Sequence, residues 1–97
     1  MYIIAKGGYG LGPVDDVKTR VKVNIYGSEY IVKANESPEY IQKLAFMVDK
    51  KMQQIGNRNR TMAGSKVAVL TALNLADELC KLREDYEGLL KLIEEAK

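Results

Sequence analysis

Thr71, Asn74, Asp77, Glu78 and Cys80 are the polar or reactive side chains of an otherwise apolar run, and chemistry would have to be sought there first. A cysteine nucleophile or a hydrolytic carboxylate needs a proton-accepting partner at fixed reach, and the usual one is missing because the chain has no histidine. The other carboxylates fall at no metal-ligand spacing. No catalytic residue, metal or cofactor is expected, and the chain is read as a non-enzyme. Cys80 lies among apolar helical positions, where a small core residue is the expectation. As the single cysteine it excludes an internal disulfide and fits a reducing compartment. Asn74 in such a run is expected to fix helix register between partners rather than to form a site.

Two other stretches bear on anion binding. The polar loop from Asn57 to Gly64 carries Arg58 and Arg60, whose planar guanidinium forks match a carboxylate or phosphate, with solvated loop charge as the plainer reading. Ser65 is placed to cap the following helix, whose first-turn amides would lie near those arginines. Gly7, Gly8, Gly10 and Gly12 raise the question of a phosphate cradle. The G-x-G-x-x-G spacing and the following helix are absent, and Pro13 and two aspartates stand there instead. Residues 1–18 are read as a flexible extension or leader outside the packed unit, with Tyr2-Ile3-Ile4 able to add a short strand at an unspecified place.

The elements that must position these groups begin at Thr19. Val21, Val23 and Ile25 alternate with polar residues, Gly27-Ser28 intervenes, and Tyr30, Val32 and Ala34 alternate again, which predicts a β-hairpin with one apolar face. A two-residue Gly27-Ser28 turn would place Ile25 opposite Tyr30, Val23 opposite Val32 and Val21 opposite Ala34. Ser37-Pro38 is an N-cap followed by a first-turn proline. Ile41, Leu44, Ala45, Val48, Met52 and Ile55 then mark an amphipathic helix, with Lys43, Asp49, Lys50, Lys51 and Gln53 outside and Gly56-Asn57 as its left-handed end.

Ser65–Lys97 has no proline and one internal glycine, which predicts a continuous helix of roughly 33 residues, about 50 Å long. Ala68, Ala72, Leu75, Leu79, Leu82, Tyr86, Leu89, Ile93 and Ala96 recur at alternating steps of four and three, a coiled-coil seam. Up to Cys80 the off-seam positions are also apolar, so this half should be enclosed. From Lys81 they turn charged, so the helix leaves a head as a stalk. The fold class is α+β: a hairpin and a short helix form a small head, followed by one long helix that ends in a coiled coil. Residues 1–18 are the extension, 19–80 the head and 81–97 the stalk. Leu70, Leu73 and Leu75 point in too many directions for one small head to cover and predict a dimer. Leu79, Leu82, Tyr86, Leu89 and Ile93, widened by Leu90 and Leu92, form a face rather than a seam and predict a tetramer through the stalk.

Composition agrees with one small domain of 97 residues, rich in aliphatics and without tryptophan. A net charge of +2 is too small to argue for nucleic acid, and neither a secretory signal nor a membrane-spanning run is visible, so a soluble intracellular protein is expected.

The hairpin VKVNIYGSEYIVKA and the run KVAVLTALNLADEL at Lys66 to Leu79 resemble the ZapA family of bacterial cell-division proteins, over residues 20 to 97. The resemblance implies a non-enzymatic cytoplasmic protein at the division site that binds FtsZ, cross-links its protofilaments and stabilises the Z ring. It also implies heads that pair as dimers and stalks that join dimers into tetramers. The family places filament binding on the charged surface of the head, which by position corresponds to Ser28, Glu29, Arg58, Arg60 and Lys66. Two other classes stay open on the residues alone: a generic homo-oligomeric coiled-coil adaptor, and a nucleic-acid binder using Lys22, Lys33, Arg58 and Arg60. The second lacks aromatic platforms and a dense basic stripe.

Overall fold

The computed structural model describes the backbone of residues 2–5 and the whole of residues 19–96. Along the chain these form β1 (Tyr2–Ala5), β2 (Thr19–Ile25), β3 (Ser28–Ala34), α1 (Pro38–Arg58) and α2 (Gly64–Glu95). They divide into two compact units, Met1–Thr61 and Met62–Lys97. The α+β order of hairpin, helix, loop and long helix is the one the sequence predicts.

In the first unit the sheet has three antiparallel strands in the order β1-β3-β2. The expectation that residues 1–18 stand apart falls, for 1 and 6–18, outside the described residues. Tyr2–Ala5 instead forms β1 and pairs with β3, from Tyr2 opposite Lys33 to Ala5 opposite Tyr30. A hairpin alone leaves a row of unpaired backbone groups on each edge, and a short run of strand-favouring residues satisfies one of them.

The hairpin register differs from the expected one by two residues. Ile25 lies opposite Ser28, Val23 opposite Tyr30, Val21 opposite Val32 and Thr19 opposite Ala34. The turn residues are therefore Tyr26 and Gly27, with φ of 49° and 81°, both left-handed as a type I′ turn requires. A slip of two keeps every side chain on its own face, so the same residues still point inward. Val21, Val23, Val32 and Ala34 from the strands and Ile41 and Ala45 from α1 form the buried cluster, flanked by Ile25 and Tyr30.

α1 starts as predicted. The Ser37 hydroxyl accepts from the Tyr40 N–H at 3.2 Å and Pro38 follows, a cap that stabilises such a helix by about 1 kcal/mol. It ends later than predicted. Gly56 is helical, and the end comes at Asn59, whose side-chain amide donates to the Ile55 carbonyl at 3.1 Å while its N–H donates to the Gly56 carbonyl. Gly56 is thus required for a different reason. It is buried, and a Cβ there would fall on the Tyr26 hydroxyl and lie 2.9 Å from the ring carbon Cζ. Asp49 also departs from its expected place outside: it is half-buried, and its Oδ1 accepts from the Tyr26 N–H at 2.7 Å. Its other oxygen accepts from the Gln53 amide one turn on, at 2.8 Å.

Tyr26 is therefore held from both ends. A non-glycine residue in the left-handed region costs about 1–2 kcal/mol, and the charged acceptor on its N–H together with ring packing at Gly56 offsets that. Gly56→Ala should destabilise by about 1–2 kcal/mol, since crowding costs about 1–3 and the better helix former returns up to about 1. In a Tyr26→Asn background, where the ring is gone, Gly56→Ala should be neutral or stabilising. Urea midpoints at fixed protein concentration check this; equal losses in both backgrounds would contradict it.

Candidate partner-binding end and self-association face

The first candidate site is one end of the first unit. Because the Tyr26 ring lies on Gly56, the hairpin turn is fastened to the last turns of α1. Ser28 and Glu29 follow that turn, and Arg58 closes α1 two residues beyond Gly56, with Arg60 in the loop after it. Four of the five residues expected to contact a partner are thereby carried at, or directly after, two fastened segments. Ser28, Arg58 and Arg60 are exposed and Glu29 is half-buried. Glu29 is engaged: the Lys22 ammonium lies 3.8 Å from it, an exposed cross-strand ion pair of the kind that contributes between nothing and about 1 kcal/mol. The fifth residue, Lys66, is exposed in the first turn of α2, in the second unit.

Sequence reasoning missed the residues that hold this end. Asp49 was legible as an outer-face carboxylate and Gly56 as a cap. A tyrosine-glycine pair between two alternating runs was the available signal that the turn sits one residue earlier.

The second candidate is the surface of α2. Ser65 is not its cap: Ala63 precedes the helix with no side-chain hydrogen bond, and the Ala63 carbonyl accepts from the Lys66 and Val67 amides. Only Val67 and Thr71 of this helix are buried, and Leu70 and Leu75 are half-buried. Thr71 carries a buried hydroxyl oxygen with no hydrogen-bond partner among the described residues. The enclosure expected of the apolar half is absent within one chain, because Val69 and Leu73 are each 61% exposed. Leu79, Leu82, Tyr86, Leu89, Leu90, Leu92 and Ile93 are exposed as well. Cys80 is exposed rather than buried. Asn74 is also exposed, and its amide donates to the Leu70 carbonyl of its own helix at 2.9 Å. Asp77 meets Lys81 one turn on at 3.0 Å, and that hydrogen bond, with the carboxylate charge, raises the lysine pKa above its ordinary value.

Among the described residues no group of three or more histidines, cysteines or carboxylates is placed to hold a metal ion, and no helix is long and apolar enough to cross a membrane. The geometry offers a fastened charged end and an uncovered apolar helix face.

The chain is similar to known proteins in sequence and in fold. The family model for "Cell division protein ZapA" matches residues 21–97. The cell division protein ZapA of Geobacillus thermodenitrificans (strain NG80-2) is 47% identical over 75 residues, covering 77% of this chain and 82% of the relative. That of Geobacillus sp. (strain WCH70) is 44% identical over 80 residues, covering 82% and 92%. Among solved structures, a ZapA mutant dimer from Geobacillus stearothermophilus matches with a TM-score of 0.64 and 38% identity, over 88% of this chain and 99% of that one. Similarity of this extent in sequence and in structure establishes that the chain belongs to the ZapA family of cell-division proteins.

Proposed function

We propose that this chain binds FtsZ and, as a self-associated spacer, cross-links FtsZ protofilaments and stabilises the Z ring at the division site in the cytoplasm. The observation that carries this reading is the uncovered apolar face of α2 in a member of a cell-division family. Leucine-sized side chains contribute about 1.5–3 kcal/mol each when buried, so covering that face by further copies is strongly favourable. Leu70, Leu73 and Leu75 are assigned to pairing of heads. Leu79, Leu82, Tyr86, Leu89, Leu90, Leu92 and Ile93 are assigned to joining two pairs through the stalk. The partner-binding end is assigned to Ser28, Glu29, Arg58 and Arg60, with Lys66 on α2. A spacer with a binding end on each copy holds filaments by avidity, because once one end is bound the next contact is intramolecular. Binding needs no cofactor in this reading, and neither a membrane nor a nucleic acid is a partner.

Two outcomes follow. The double substitution Arg58→Glu and Arg60→Glu should raise the concentration of polymerised FtsZ needed for half-maximal pelleting by about tenfold, the effect of losing about 1.4 kcal/mol of charge complementarity. The helical circular dichroism and the solution mass should stay unchanged, because both side chains are exposed. Undiminished pelleting would move the site to Ser28 and Glu29. Truncation after Lys81 should leave a chain that still pellets with FtsZ but no longer increases light scattering by bundling. Full bundling by the truncated chain would contradict assignment of the cross-link to the stalk.

A further inference from the structure

The outer edge of β3 can be read from the ladder pattern of the hairpin. A two-residue turn closes on a hydrogen-bonded pair, here Ile25 with Ser28, and such pairs alternate along an antiparallel ladder. Ser28, Tyr30, Val32 and Ala34 therefore bond to β2, and the N–H and C=O groups of Glu29, Ile31 and Lys33 point to the opposite edge. The same alternation turns the Lys22 backbone away from β3, and its carbonyl does accept from the Gln42 side chain of α1, at 3.0 Å. α1 thus satisfies part of the β2 edge. At the β3 edge, β1 sets Ile4 opposite Ile31 and Tyr2 opposite Lys33. β1 is four residues long against seven in β3, and it lies before residue 21, where the match to the family model begins.

We propose that the outer edge of β3 is a strand-addition site, that Tyr2–Ala5 is its displaceable occupant, and that without β1 the edge takes the β3 edge of a second copy of this chain. The edge is self-complementary. Two β3 strands running antiparallel and centred on Ile31 place each Glu29 opposite the other copy's Lys33, at hydrogen-bonded positions on both sides. Opposite charges directly across a ladder are favourable. Ile31 at the centre is exposed on its own chain. An edge of this kind, when bare, recruits another strand, and a short added strand is one way to prevent it. β1 would then keep heads from joining sheet to sheet, an association separate from that through α2 and independent of any filament partner.

The test compares the full chain with its Ile4→Pro variant, which lacks the one N–H that β1 directs at the Ile31 carbonyl. In the natural chain the Ile31 and Lys33 amides should exchange with solvent slowly, and in dilute Ile4→Pro about tenfold faster or more. The Tyr30 and Val32 amides, bonded to β2, should be unaffected. Raising the concentration of Ile4→Pro should restore protection and give a heavier species in sedimentation velocity. A synthetic peptide of residues 1–6 should suppress that species, and adding Glu29→Lys, which sets like charges across the ladder, should abolish it. Equal exchange at Ile31 and Lys33 in the two chains would overturn the proposal. So would a sedimentation profile independent of concentration. Loss of protection at Tyr30 and Val32 as well would make β1 integral to the head and would equally overturn it.

Discussion

A single chain cannot cover the apolar side of α2. Side chains from Val69 to Ile93 stand exposed along a helix of 32 residues, far more than isolated surface leucines amount to. The first unit, by contrast, closes its own core from six side chains of two strands and one helix. This asymmetry governs the molecule: the first unit buries its apolar cluster, and the helix leaves most of its apolar side chains exposed. The proposed self-association follows from where the apolar residues lie, and a protein whose stability is shared between copies would be suited to holding other things at a fixed spacing.

Within the head, the decisive contact is between the hairpin turn and α1. Asp49 accepts the Tyr26 amide, Gly56 leaves room for the ring, and Gln53 orients the carboxylate. These three helix residues lie on successive turns, so one face of α1 fixes both the strained turn and the segment ending in Arg58. The charged end is thereby built on a rigid support although the loop after it is polar and exposed. Rigidity of that sort limits the entropy lost when a partner binds.

Much of this was legible in the residues. Alternation in 21–25 and 30–34 assigned every strand side chain to its correct face, because a period of two fixes parity. It does not fix the register, and the reading with Ile25 opposite Tyr30 was wrong by two residues, because Tyr26 adopts a left-handed conformation made tolerable by Asp49 and Gly56 more than twenty residues away. Ser37-Pro38 marked its helix start because a cap is a local interaction. Ser65 did not, because Ala63 and Gly64 begin the helix without a side-chain cap. Cys80 and Asn74 were read as enclosed from the apolar character of their neighbours. Hydrophobic pattern reports what must be covered and not which chain covers it, so both stand exposed on a single copy. For the same reason the candidate oligomer residues were visible as a stripe, whereas the residues fastening the charged end carried no periodic signal.

In the proposed assembly the α2 face is covered by further copies. Sedimentation equilibrium of the full chain at micromolar concentration tests it most directly. The expected result is a mass that is a multiple of the 10.9 kDa chain, with no folded monomer present. A folded monomer of 10.9 kDa with an intact helical spectrum at that concentration would contradict it.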